Sequence, residues 1–142
     1  MNREIKFRGK RKDNNEWVYG SLITYPNNVY EILKLEMGRC CLSTEHFKVI
    51  PETIGQYTGL KDKNGVEVYE GDICKGNEFS DEDDLFIIKY GKYKTSDWKE
   101  KYISNTYQYG WYAEFVKTKD QVHLVTPNGI EVIGNIYENE EK

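Results

Sequence analysis

Residues 53–76 read TIGQYTGLKDKNGVEVYEGDICKG, and the order of signals in this stretch decides the fold. Asn64-Gly65 is the strongest hairpin signal in the chain. A two-residue type I′ turn needs positive φ at both central positions, which Asn-Gly tolerates best. Val66 and Val68 then alternate with Glu67 and Tyr69, the period of a half-buried strand. Gly71 permits a sharp bend into Ile73 and Lys75. The carboxylates Asp62, Glu67, Glu70 and Asp72 crowd this hairpin, and Asp72 after Gly71 is placed to accept backbone N–H groups at the bend.

Outward from this block the chain reads as β almost throughout. Towards the N-terminus, Ile5 and Phe7 alternate with Lys6 and Arg8 until Gly9 breaks the run. Residues 16–25 are rich in aromatic and β-branched side chains and predict a strand, stopped by Pro26-Asn27-Asn28. Residues 29–35 pair back as a hairpin. Met37-Gly38-Arg39 is a further break, residues 40–42 a short strand, and residues 43–47 one turn of helix or a loop. Pro51 marks the boundary of an N-terminal section. Towards the C-terminus, residues 77–84 form an acidic, solvated loop and residues 85–90 a strand. Residues 92–104 are ambiguous between helix and loop, with Asp97 and Glu100 at capping-box spacing. Residues 107–116, 121–126 and 130–137 are strands, separated by a polar turn and by Pro127-Asn128-Gly129; the tail from Glu138 is acidic and frayed. No stretch keeps apolar spacing of 3.6 over three turns, and no internal repeat is evident. Strands joined by short turns predict a small barrel or sandwich.

The chain has 142 residues, enough for one domain or for a small domain with an appendage. Its charged fraction of 31% is offset by 14% aromatic residues, including 12 Tyr, which a disordered chain would lack. The net charge of -4 argues against a general cationic coat. Charge is unevenly spread: Arg3, Lys6, Arg8, Lys10, Arg11 and Lys12 face Glu4 alone, whereas Glu78, Asp81, Glu82, Asp83 and Asp84 cluster in the acidic loop. The odd cysteine count (Cys40, Cys41, Cys74) and a charged N-terminus without an apolar core predict reduced thiols in a cytosol. No apolar run approaches the ~18 residues of a membrane span.

Catalytic and metal chemistry find little support. Asp62, Asn64 and Gly65 mimic the start of a calcium loop, but the bidentate acid that such a loop needs falls on Ile73. Adjacent Cys40 and Cys41 cannot provide zinc-knuckle spacing with Cys74, His46 or His123, so the thiols read as buried or half-buried. Neither His lies in a nucleophile motif: His46 falls in a polar loop, and His123 alternates to solvent on a strand. No phosphate loop or dinucleotide fingerprint occurs. The expectation is therefore no enzyme, no cofactor, no metal and no small-molecule substrate. Nucleic-acid contact is the best remaining chemistry, because the basic segment REIKFRGKRK lies near Trp17, Tyr19 and Tyr25. Lys89, Lys92, Lys94, Lys99 and Lys101, interleaved with Tyr90, Tyr93 and Trp98, make a second basic patch. Lysines on a solvated edge strand would look the same.

Three blocks coincide: REIKFRGKRKDNNEWVYG at the start, GQYTGLKDKNGVEVYEGDICKG in the centre and EVIGNIYEN at the end. Their order and separation resemble the YopX family of bacteriophage and prophage proteins, with Tyr57 in place of Phe and Cys74 in place of Val. The resemblance implies an all-β protein whose C-terminal part is a small SH3-like barrel. It also implies expression in a bacterial host cytoplasm and assembly as a homo-oligomer, and it carries over no functional residue. The resulting expectation is an N-terminal β-hairpin section at 1–52 and a barrel at 53–142, or one continuous domain. Val68, Ile73, Ile87, Trp111, Phe115, Leu124, Ile133 and Ile136 would form the core, with Gly71 and Gly134 too confined for a side chain. Two function classes follow. In one, Arg8, Arg11 and Lys12 form an exposed nucleic-acid patch; in the other, Trp17, Tyr19 and Tyr25 are buried between copies or against a host protein.

Overall fold

The computed structural model describes residues 4–76, 85–94, 107–117, 119, 121–123 and 130–138. The chain folds into two compact units, Met1–Gly59 and Leu60–Lys142. All described strand pairs are antiparallel. The all-β expectation holds; the described strands form two sheets and no closed barrel.

The first unit is a meander of β1 (Phe7–Lys10), β2 (Trp17–Tyr25), β3 (Val29–Met37) and β4 (Leu42–Lys48). A 3-10 turn, Pro51–Thr53, then leads into β5 (Gly55–Lys61), which returns to pair with β1. The expected boundary near residue 52 lies at this turn, inside the unit. Thr53 fixes the turn: its hydroxyl accepts the Lys10 N–H at 2.9 Å and donates to the Ile50 carbonyl at 2.7 Å. β2 serves two partners. Its first half, through Gly20, pairs with β1, and its second half, from Ser21, pairs with β3. At that switch an added Cβ on Gly20 would lie 2.2 Å from the Leu33 carbonyl oxygen, so only glycine fits. Ile32 and Val49 are fully buried in this unit. A single bridge, Arg11 to Val49, joins the end of β1 to the residue after β4.

The turn after β5 is not the two-residue type I′ expected from Asn64-Gly65. Gly65 donates to the Asp62 carbonyl at 3.0 Å, and Asp62 donates to the Val66 carbonyl at 2.8 Å. Gly65 has φ +81, while Asn64 is not among the positive-φ residues. These features define a three-residue loop in which a type I turn is followed by a left-handed glycine. Asp62 selects it. One carboxylate oxygen accepts the Asn64 and Val66 N–H groups at 2.8 and 2.9 Å, and the other accepts Val132 N–H at 3.0 Å.

β6 (Glu67–Tyr69) follows β5 in the strand order β4-β3-β2-β1-β5-β6. β7 (Asp72–Gly76), β8 (Leu85–Lys94), β9 (Tyr107–Phe115), β10 (Gln121–His123) and β11 (Ile130–Asn135) form the other sheet, in the order β10-β9-β8-β7-β11. Here too a four-strand meander is closed by a fifth strand that returns to the first. The two units therefore repeat one strand order, although their sequences show no repeat. Val68, Cys74, Phe86, Ile88 and Ala113 form the buried core, with Trp111, Phe115, Ile130 and Val132 packed against it.

Several expectations need correction. Gly9 does not break β1; it lies within the strand, its Cβ position 3.0 Å from Val49. Residues 43–47 are not helical: Cys40 and Cys41 occupy an exposed bend, and of the expected strand at 40–42 only Leu42 is strand, the first residue of β4, which runs on through the polar residues that follow. β8 extends to Lys94, so the first part of the ambiguous stretch is strand. The core side of β7 and β8 is opposite to expectation. Cys74 and Phe86 face each other inside, while Ile73 and Ile87, also paired, are only half-buried. Ile133 is 52% exposed because a bulge between Val132 and Gly134 shifts the alternation of β11. Ile136 lies beyond β11, half-buried. Residues 77–84, 95–106 and Leu124 lie outside the described residues, as does the His123 side chain.

The two glycines singled out behave differently. Gly71 has φ +91, and its Cβ would meet the Tyr137 ring at 3.0 Å. Gly134 has no positive φ, and the nearest atom to its Cβ is 4.0 Å away. Gly71→Ala is therefore expected to cost about 1–2 kcal/mol, from the left-handed backbone alone, and Gly134→Ala less than about 0.5 kcal/mol. Urea midpoints at unchanged slope would check both.

Candidate nucleic-acid interface

β1 brings three cations onto one side of the first unit, because alternate residues of a strand share a face. Each cation lies against an aromatic ring. The Lys6 Nζ is 5.4 Å from the Tyr57 ring centre, while the Arg8 guanidinium and the Lys10 Nζ approach the Trp17 ring at 4.7 and 5.5 Å. Lys6 also pairs with Glu4 at 3.4 Å. Arg8 is only 6% exposed, so the exposed patch of Arg8, Arg11 and Lys12 expected from the sequence loses its first member. The register explains the burial: Arg8 sits between Tyr19 on β2 and Gly55 on β5. Arg3 lies outside the described residues.

Arg11 and Lys12 belong to a different feature. With Asp13, His46, Phe47 and Lys48 they line a cleft of about 340 Å³ in the first unit. The Arg11 guanidinium stacks 4.5 Å from the Phe47 ring centre and is held by Asp13 at 2.6 Å, which keeps the Asp13 carboxyl below its usual pKa. Lys12 donates its backbone N–H to the Lys48 carbonyl at 3.0 Å, so the two lysines stand opposite each other across the Arg11–Val49 bridge. Both are exposed and neither makes an ion pair among the described residues, although Glu31 is the register partner of Lys48 on β3. Like charges directly opposite each other are destabilising. Lys48 and Phe47 were not distinguished in the sequence. Their signal is the return of the chain after β4, which no local pattern reports.

The expected interface aromatics divide. Trp17 is half-buried beneath Arg8 and Lys10, whereas Tyr19 and Tyr25 are exposed. The Tyr25 hydroxyl donates to Glu31, which raises its pKa above the usual value. The second basic patch also divides. Lys89 is on the opposite face from Tyr90, paired with Glu114 at 3.1 Å. Tyr93 is 1% exposed, its ring stacked 5.2 Å from Tyr112, and burial raises its pKa. Tyr90, Lys92 and Lys94 share the other face of the β8–β9 ladder with Trp111, Tyr109 and Tyr107, their register partners. Tyr107 and Tyr109 were read only as strand residues. Lys99, Lys101 and Trp98 are outside the described residues.

The acidic and thiol groups have structural employment. Asp62 and Asp72 are buried. Asp72 accepts the Tyr69 N–H at 2.8 Å, as its position after Gly71 predicts. Burial pushes the Asp62 pKa up, but the N–H donors of Val132, Val66 and Asn64, with the Lys63 charge, bring it below the ordinary aspartate value. His46 is on β4, not in a loop, with Nδ1 3.9 Å from Glu31. Cys40 and Cys41 are exposed and Cys74 is buried. Among the described residues, no group of three His, Cys, Asp or Glu is arranged to hold a metal ion, and no helix is long and apolar enough to cross a membrane.

A two-unit all-β protein with cationic and aromatic surfaces is thereby defined. The family model described as YopX protein matches residues 6–142, and the chain belongs to the YopX protein family. It is also similar in fold to protein EF1440 from Enterococcus faecalis. That crystal structure matches at a TM-score of 0.57 and 22% identity, over 99% of this chain and 98% of the other. No curated protein matches the chain.

Proposed function

We propose that this chain is a non-enzymatic, phage- or prophage-encoded accessory protein that binds nucleic acid in the bacterial cytoplasm. The observation that carries the reading is the opposition of Lys12 and Lys48 beside an Arg11 held rigid by Phe47 and Asp13. A phosphate between the lysines would relieve their repulsion, and the stacked guanidinium is preorganised to share it. The strand order supports the reading at the level of architecture. In the first unit a four-strand meander, a 3-10 turn and a fifth strand on β1 follow an SH3-like plan, and the described strands of the second unit share its strand order. Fold likeness alone carries no function.

Fluorescence anisotropy with labelled duplex and single-stranded oligonucleotides at low ionic strength tests the proposal. The Lys12→Glu, Lys48→Glu double variant is expected to weaken binding to both by at least about tenfold, since two phosphate contacts become repulsions. Unchanged affinity would remove the cleft from the binding site.

A second reading rests on a separate observation. At the tip of the β3–β4 hairpin, Leu35, Met37 and Leu42 are 54%, 86% and 55% exposed, and Met37 stands opposite Leu42. β4 is also an edge strand. An exposed apolar tip beside an open edge fits self-assembly. Light scattering that finds a monomer at micromolar concentration would remove this reading.

A further inference from the structure

The β8–β9 ladder of the second unit presents a surface that the cleft does not explain. Its register runs without a shift from Phe86 opposite Phe115 to Lys94 opposite Tyr107. Alternation therefore carries one face from the core, at Phe86, Ile88, Ala113 and Phe115, outward to Tyr90, Lys92, Lys94, Trp111, Tyr109 and Tyr107. Beyond the core, this face is aromatic and cationic with no carboxylate on it. Tyr90, Tyr107 and Tyr109 are 58%, 53% and 77% exposed, although large aromatic side chains normally bury most of their surface. Their rings are oriented by neighbours. Tyr90 meets the Trp111 ring edge-on at 4.9 Å, and the Lys92 Nζ stands 4.5 Å from the Tyr107 ring centre. Trp111 also packs against the core, and its Nε1 is buried without a hydrogen-bond partner among the described residues.

The middle of the ladder has no side chains on its other face. Gly91 stands opposite Gly110, with φ of +144 and +152, and an added Cβ on either would meet nothing within 4 Å. Paired glycines in a strand interior weaken the ladder. By alternation the pair lies on the face opposite these tyrosines, between Tyr112 and Tyr93, whose rings stack 5.2 Å apart.

We infer that this face is a platform for single-stranded nucleic acid, on which unpaired bases stack against Tyr109, Tyr107 and Tyr90 while Lys92 and Lys94 take the phosphates. Exposed rings at strand spacing with interleaved lysines match a polyanion that has free π-faces. A duplex, whose bases are already stacked, could use the lysines but not the rings. The inference rests on the proposed nucleic-acid reading and narrows its ligand class.

Anisotropy with labelled oligo-dT, oligo-U and a duplex of equal length separates the two. The full-length protein is expected to bind both single strands, and Tyr107→Ala with Tyr109→Ala to weaken that binding by roughly ten- to a hundredfold, since each stacked base is worth ~1–3 kcal/mol. Duplex affinity should stay within about twofold, and Tyr109→Phe should retain the single-strand affinity. Because both tyrosines are exposed, a circular dichroism spectrum should match the unmodified protein. Wild-type binding to single strands that the tyrosine variants leave intact would overturn the platform alone. Absence of binding to any of the three probes would overturn the nucleic-acid reading itself.

Discussion

Gly20→Ala is expected to destabilise the first unit by about 3 kcal/mol, the upper end of the cost of forcing extra atoms into a packed site. The reason is geometric. The new Cβ would lie 2.2 Å from the Leu33 oxygen and 3.0 Å from the Leu33 carbonyl carbon, both backbone atoms that no rotamer change can move. β2 must shift away from β3 at the residue where it stops pairing with β1, so both pairings suffer. Ser21→Ala, one residue further and exposed, should change stability by less than about 0.5 kcal/mol. Urea unfolding of the two variants checks the pair. Equal midpoints would mean that β2 does not switch partners at Gly20.

Asp62→Ala is expected to cost about 3 kcal/mol as well, because a charged acceptor is removed from three backbone N–H groups around a buried side chain. Asn at this position keeps one oxygen for the turn but turns an N–H2 towards Val132, so Asp62→Asn should be milder. The same carboxylate gives the protein a pH dependence. Its folded pKa is depressed, so its stabilisation is fully present above the ordinary aspartate pKa and is lost as pH falls through the lower folded value. The acid limb of a stability-against-pH curve should therefore be shallower in Asp62→Ala than in the unmodified protein. Parallel limbs would show that Asp62 is not held ionised by the fold.

Much of this architecture was legible in the sequence for a simple reason: strand alternation and turn residues are local. The strands around residues 16–25, 29–35, 107–116 and 130–137 lie close to where β2, β3, β9 and β11 fall. The errors came from non-local causes. Asn64-Gly65 predicts a type I′ turn until Asp62, which accepts an N–H from Val132 in β11, selects a longer loop. Ile73 and Ile87 are as apolar as Cys74 and Phe86, and only the packing of the sheet decides which pair faces inward. The polar sequence of β4 hides a strand because this edge strand buries almost nothing. The candidate sites follow the same division. A cluster of cations from residue 3 to 12 is visible by eye, but the burial of Arg8, the opposition of Lys12 and Lys48, and the gathering of Tyr107 and Tyr109 with Tyr90 all depend on pairings between distant segments. The repeated strand order is invisible for the same reason: it is a property of connections and not of residue types.

The account stands or falls on whether the protein holds nucleic acid through phosphates. The most direct measurement is the affinity of the unmodified chain for a labelled single-stranded oligonucleotide as salt is raised. Each phosphate neutralised adds roughly -0.7 to the slope of log K against log salt for a single strand, so three to five contacts predict a slope of about -2 to -4. A slope near zero, or no binding at low ionic strength, would contradict the proposal.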